Sequence, residues 1–288
     1  MWGSVVFTGR FRQTVYKRYR EINGVMVPVA DPQTGYYSAY TYDAFSRDDL
    51  IPSLVQLVVR ASRKGNQNRE CKKWIKTNGF LVQRICEPPS KGESLEVFWQ
   101  EAVKLTKLWC MYTEAVNRDL EALKRYVSIK IERLTLDEIK NEEFLWGKGN
   151  DGRVCVSSSL FESEVAFGVK LKEVKEDFLA PYQYAVLHYV AGEVSYNIGN
   201  VRIVYDRLTK HENSDTDTFS IQAYLEPASL LQALYLWFFQ LLTEKRKVCP
   251  TCWAPFTPRR RDQVFCSDGC RFTHHTRKRR GQQRKERF

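Results

Sequence analysis

CPTCWAPFTPRRRDQVFCSDGC, residues 249–270, holds four of the eight cysteines of this 288-residue chain, with three adjacent arginines between them. The spacing is Cys249-x2-Cys252-x13-Cys266-x3-Cys270. A gap of two residues lets one tight turn bring both thiolates to a single ion at about 2.3 Å, and tetrahedral Zn2+ then needs a second pair from elsewhere. Cys266 and Cys270 supply it, because residues four apart lie on one face of a helix. Ser267 and Asp268 suit the start of that helix, one as a hydroxyl cap and the other as a negative charge at the positive end of the dipole. Two disulfides, the other use of four cysteines, do not suit a reducing compartment. Four ligands close the coordination shell, so the expected cofactor is one structural Zn2+ with no open position for water or substrate.

The same region carries most of the charge. The chain has 45 Lys/Arg against 34 Asp/Glu, a formal net charge of +11, and the residues from Glu244 onward hold fourteen against four. Ten of the eleven net positive charges therefore lie in the last 45 residues. Arg259, Arg260 and Arg261 fall on the loop between the cysteine pairs, and Arg271, His274, His275, Arg277, Lys278, Arg279 and Arg280 fall on the predicted terminal helix. A rigid helix so charged can lie along a phosphate backbone or in a major groove, with affinity that falls steeply as salt rises. These ten residues are the expected nucleic-acid contacts, to DNA rather than RNA. They are mostly non-specific, because phosphate contacts carry no sequence information directly. A solvated basic tail is the blander alternative. His274 lies one helical turn beyond Cys270 but is not expected as a ligand where four thiolates are present.

Cys-Pro-x-Cys, then Phe256, an arginine-rich loop ending in Asp262-Gln263-x-Phe265-Cys266-Ser267, then Cys270-Arg271 and a basic helix, resembles the treble-clef-type zinc modules that close many bacterial proteins. The CGNR zinc-finger group is the nearest. The helix EPASLLQALYLWFFQLL just before the first cysteine fits that architecture, in which a larger N-terminal domain precedes the module. The resemblance covers about residues 225–280. The Cys-Gly-Asn-Arg of the group is here Cys270-Arg271-Phe272-Thr273, and Trp253 stands at the knuckle where glycine is usual. The resemblance implies nucleic-acid binding and a role in transcription regulation.

Upstream, 43% apolar and 13% aromatic residues are enough to build a core, and the pattern reads as an α+β body over residues 1–244, with 1–90 and 91–244 as alternative subdomains. The zinc module is expected at 245–288, where apolar periodicity stops. Alternation in residues 1–45 predicts strands, with Asn23-Gly24 as a two-residue hairpin turn. LIPSLVQLVVRAS (50–62) reads as a helix followed by the polar break RKGNQNRE. The run from Ser94 to Tyr126 reads as one long helix with Phe98, Ala102, Leu105, Trp109, Tyr112, Val116, Leu120 and Leu123 on a single core face. Further helices are expected at 134–146, 180–199 and 228–247, and strands at 154–161, 165–174, 200–208 and 218–225. Phe256 and Phe265 are expected to form the small core of the module, since so short a segment cannot bury enough surface without a metal.

The N-terminus has no basic stretch followed by an apolar one, and the longest apolar run, Ala228 to Leu242, falls short of the roughly 20 residues of a membrane span. These observations favour a soluble, cytoplasmic, prokaryotic protein. Cys71, Cys86, Cys110 and Cys155 lack ligand spacing and read as unpaired thiols. Enzyme candidates are few: His188, His211 beside Glu212, and the Asp215 and Asp217 pair. His188 reads as a core or boundary histidine, the Asp-Thr-Asp turn reads as solvated, and no nucleophile, base and orienter assemble from them. A regulatory or defence-related nucleic-acid binder is therefore the first reading. A nuclease-like enzyme with a purely structural zinc and a protein-interaction scaffold are the alternatives.

Overall fold

A computed structural model describes residues 8–9, 11–84, 86–135, 150–157, 165–177, 179–199, 201–210, 219–243, 247–260 and 263–285. The fold is α+β, and the chain divides into two compact units, each made of two separate segments. The first comprises Met1–Thr106 and Val194–Lys245; the second comprises Lys107–Glu193 and Arg246–Phe288. No helix among the described residues is long and apolar enough to cross a membrane.

In the first unit, β1 (Thr8–Gly9) runs parallel to a strand formed more than two hundred residues later. β2 (Arg12–Tyr16) pairs antiparallel with β5 (Ala39–Asp43), and β3 (Tyr19–Ile22) pairs with β4 (Val25–Pro28). Asn23 and Gly24 turn the latter hairpin with φ of 50° and 78°, the left-handed pair that matches strand twist. α1 (Leu50–Lys64) buries Leu50, Leu54, Leu57, Val58 and Ala61 on one face. Gly65, in the left-handed conformation, ends it by donating its N–H to Ala61 O. The polar break expected after α1 is instead α2 (Gln67–Asn78). Only Cys71, Trp74, Ile75 and Asn78 of α2 are buried, a stripe too narrow to stand out in a polar sequence. The Trp74 indole donates to Ser53 Oγ on α1 at 3.0 Å.

β6 (Glu93–Ser94) pairs with β4 and leads into α3 (Leu95–Val116), in which Phe98, Ala102 and Leu105 are fully buried. The long helix expected to reach Tyr126 stops at Val116. Arg118 takes a left-handed φ of 58°, Asp119 caps the next turn by accepting from Ala122 N, and only α4 (Leu120–Leu123) follows.

The second unit holds an antiparallel meander of β7 (Ser128–Arg133), β8 (Gly152–Ser157) and β9 (Val165–Val169). The strand expected to reach residue 174 ends at Val169. α5 (Leu171–Glu176) starts there, with Leu171 N donating to Asp151 Oδ1 at 2.7 Å. Gly152 lies close beneath it: an added Cβ would come 2.4 Å from Leu171 Cδ2 and displace that side chain. α6 (Ala180–Ile198) follows. The helix expected at 134–146 lies, apart from its first two residues, outside the described residues, as does the turn at 211–217.

The first unit is completed by β10 (Arg202–Lys210), β11 (Phe219–Glu226) and α7 (Leu230–Thr243), with β11 between β1 and β10. α7 is buried almost all round, through Leu230, Ala233, Leu234, Tyr235, Leu236, Trp237, Phe238 and Leu241, a pattern that places it in the centre of its unit. One buried carboxylate ties these pieces together. Glu93, 4% exposed, accepts from Leu81 N at 2.6 Å and from Val82 N at 2.9 Å. Leu81 O in turn accepts from Leu231 N at the start of α7, and Phe80 O accepts from the Gln13 amide.

Burial pushes the Glu93 carboxyl up from its ordinary 4.5 to about 8, against the pull of its two N–H donors. A carboxyl raised in the folded state binds more protons folded than unfolded between those values, so its contribution to stability declines as pH rises from about 4.5 to about 8. Glu93→Gln turns an NH2 group toward one backbone N–H. The variant loses about 1–3 kcal/mol in denaturant unfolding and lacks that part of the pH dependence.

Candidate metal centre

The first cysteine pair sits on a hairpin. β12 (Lys247–Val248) pairs antiparallel with β13 (Pro255–Phe256), and the reversal between them is closed by Cys249 N donating to Ala254 O and Trp253 N donating to Cys249 O. Trp253 carries a φ of 65° there. That left-handed conformation is the physical reason glycine is favoured at such a knuckle, and a bulky ring at it is an outlier that costs about 1–2 kcal/mol.

The second pair sits at the start of α8 (Asp268–Lys285). Ser267 caps the helix: its hydroxyl accepts from Cys270 N at 3.2 Å, and its carbonyl accepts from Arg271 N. Cys266 precedes the cap and Cys270 lies one turn in, which places their sulfurs 3.5 Å apart. Thr251 Oγ1 donates to Cys270 O at 2.9 Å and joins the hairpin to the helix.

The four Sγ atoms of Cys249, Cys252, Cys266 and Cys270 lie within 4.8 Å of one another, with Cys252 and Cys266 at 3.6 Å. Bonds of about 2.3 Å from a tetrahedral ion to sulfur require S–S edges of about 3.8 Å. The cluster therefore has the dimensions and donor chemistry to hold one Zn2+. Burial pushes the Cys249 thiol up, but N–H donors at Cys266, Cys252 and Thr251 outweigh it and bring it down to about 7. Burial raises Cys252 and Cys266. Cys249 is the one fully buried cysteine of the four.

The loop between the pairs is shaped by Gln263, which the sequence marks only as part of the motif, without a role. Its side-chain oxygen accepts from Arg259 N at 2.8 Å and its amide donates to Phe265 O at 2.9 Å. Its backbone N–H donates to Arg260 O, and its carbonyl accepts from Lys247 Nζ. Glutamine in a loop is common, and only the folded geometry marks this one.

Arg259 and Arg260 are exposed on this loop; Arg261 lies outside the described residues. Arg271 is exposed, 3.6 Å from Asp268 within the first turn of α8. His274 is half-buried, its ring 5.2 Å from that of Phe265, while His275 is exposed with its ring 6.1 Å from the same phenyl. Phe265 therefore packs on the histidine face of α8, and Phe256 is half-buried in the hairpin. Arg277, Lys278, Arg279 and Arg280 lie on the α8 backbone.

Of the enzyme candidates, His188 is not a core or boundary group: it is exposed on α6, its ring stacked 6.0 Å from Tyr184. Leucine and tyrosine neighbours concealed that it falls on the outward side of the helix. His211, Glu212, Asp215 and Asp217 lie outside the described residues.

Cys266→Ser removes the sulfur that approaches both Cys252 and Cys270, and it lowers affinity for added Zn2+ by at least about a hundredfold, beyond the usual cost of losing an outer-shell partner. Cys86→Ser, which replaces an exposed thiol remote in sequence, leaves metal content unchanged. Atomic absorption on the two purified variants distinguishes a four-thiolate site from incidental thiol binding. Comparison of the chain with protein-family models, with curated proteins and with solved structures finds no match.

Proposed function

We propose that the C-terminal module binds one structural Zn2+ through Cys249, Cys252, Cys266 and Cys270 and uses it to hold a cationic surface against nucleic acid. Duplex DNA is the expected partner, in a regulatory or defence-related role like that of CGNR-type zinc-finger proteins. The observation that carries this reading is the coincidence of the four-sulfur cluster with ten of the chain's eleven net positive charges. A closed tetrahedral shell leaves the metal no catalytic position, so the ion acts as a cross-link that stands in for a missing apolar core.

The exposed Arg259 and Arg260 sit on a loop held by Gln263, and α8 starts from a capped, metal-linked turn. Fixing the guanidinium groups on such a frame reduces the ordering cost of binding and suits their fork geometry to phosphate oxygens. Each neutralised phosphate contributes about −0.9 to the slope of log affinity against log salt.

The replacement of Arg259, Arg260 and Arg261 by glutamine is expected to leave zinc content intact and to reduce the magnitude of that slope by about three. Fluorescence anisotropy with a labelled duplex across a salt series measures both affinity and slope. Absence of salt-sensitive binding by the full chain, or loss of zinc together with the arginines, would overturn the assignment.

A further inference from the structure

The tyrosine-rich stretch TGYYSAYTY (34–42) has only been accounted for as a loop and a strand, yet it leaves an unusual amount of aromatic surface in solvent. Tyr36 is 79% exposed, Tyr40 49% and Tyr37 39%. Clustered exposed rings of this kind mark interaction surfaces more often than scattered single ones do.

The rings stand on a firm base. Tyr37 meets Tyr16 edge-on at 5.6 Å, Tyr16 meets Phe80 at 6.1 Å, and Tyr19 closes the group at 6.0 Å from Tyr16 and 5.5 Å from Phe80. Phe80 is 4% exposed, and its carbonyl accepts from Gln13. The loop that presents Tyr36 and Tyr37 is closed on itself: Asp31 Oδ1 accepts from Gln33 N, Asp31 N donates to Tyr36 O, and Gly35 takes the left-handed φ of 71° that the turn requires. Tyr40 is fixed by its hydroxyl, which donates to Thr77 O at the end of α2.

The charge beside these rings is unbalanced. Residues 11–43 and 67–78 contain eight Lys/Arg and four acids. Each acid is engaged locally: Glu21 with Lys72, Glu70 with Arg60, Asp31 within its own loop, and Asp43 as acceptor from Phe45 N. Arg12, Lys17, Arg18, Arg20, Lys73 and Lys76 are all exposed and have no acidic partner among the described residues. Lys17 is alongside the loop, its N–H donating to Ser38 O, and Lys73 and Lys76 share α2 with the Tyr40 anchor.

We propose that Tyr36, Tyr37 and Tyr40, flanked by Lys17, Arg18, Lys73 and Lys76, form a platform for single-stranded nucleic acid. Exposed π-faces bordered by cations unopposed by acid are the two components that such binding uses, bases stacking on rings while cations follow the backbone. Duplex DNA cannot use the rings in this way, because its bases already stack on one another. This surface is separate in residues from the zinc module, and neither assignment depends on the other.

The test uses the full chain and a labelled oligo(dT) of about 16 nucleotides beside a duplex of equal length, read by fluorescence anisotropy. Tyr36→Ala with Tyr37→Ala, both surface changes that leave circular dichroism unaltered, weakens oligo(dT) binding by about tenfold and leaves duplex binding as it was. Lys17→Gln with Arg18→Gln reduces the magnitude of the oligo(dT) salt slope by about 1.4. An oligo(dT) bearing 5-bromodeoxyuridine cross-links, on irradiation, to the peptide containing Tyr36 and Tyr37. Unchanged oligo(dT) affinity in the tyrosine variant, an equal loss on both probes, or cross-links confined to residues after 245 would each overturn the proposal. Because the arginine variant of the module is read on duplex and the tyrosine variant on oligo(dT), failure of one assignment is distinguishable from failure of the other.

Discussion

Four sulfurs brought within 4.8 Å of one another are the constraint on which the C-terminal module depends. Its apolar resources are slight: Phe256 and Phe265 are both half-buried, and α8 is strongly polar along its described length. A segment of this size cannot offset chain entropy by burial alone. Hydrogen bonds at Ser267, Thr251 and Gln263 set the local geometry. The clustered sulfurs add a second link between hairpin and helix beside the Thr251 bond.

What the sequence disclosed and what it hid follow from the range of the interactions involved. The cysteine spacing, the Asn23-Gly24 hairpin, α1, α6 and α7 rest on contacts between near neighbours or on a strong apolar period, and they were readable. α2 was missed because four buried positions in twelve leave a largely polar string. The end of α3 was missed because Arg118 adopts a left-handed φ that no local rule assigns to arginine. Glu93 and Gln263 were invisible for another reason. Each acts through backbone groups that only tertiary folding brings to it, across eleven or twelve residues for Glu93 and in three directions at once for Gln263.

In the first unit, the buried Glu93 carboxyl is held by the backbone N–H groups of Leu81 and Val82, and Leu81 and its neighbour Phe80 relay that order to α7 and β2. In the second unit, Arg118 forms an exposed pair with Asp177 at 2.5 Å, which holds the Asp177 carboxyl below the usual range. Exposed pairs contribute little to stability, typically about 0–1 kcal/mol. The buried carboxylate is the more consequential device, because removing it leaves two backbone donors unsatisfied in the interior.

The pairing of β1 with β11 and the bond from Leu231 N to Leu81 O join residues separated by well over a hundred positions. Each unit is likewise assembled from two segments interrupted by part of the other. During synthesis, the first segment of each unit therefore waits for a late one. Until the later segments join, Leu81 O of the first unit lacks its donor on α7, and the second unit lacks its hairpin. Such a chain folds with high contact order, and its earlier segments carry unfinished surface until the later ones pair with them.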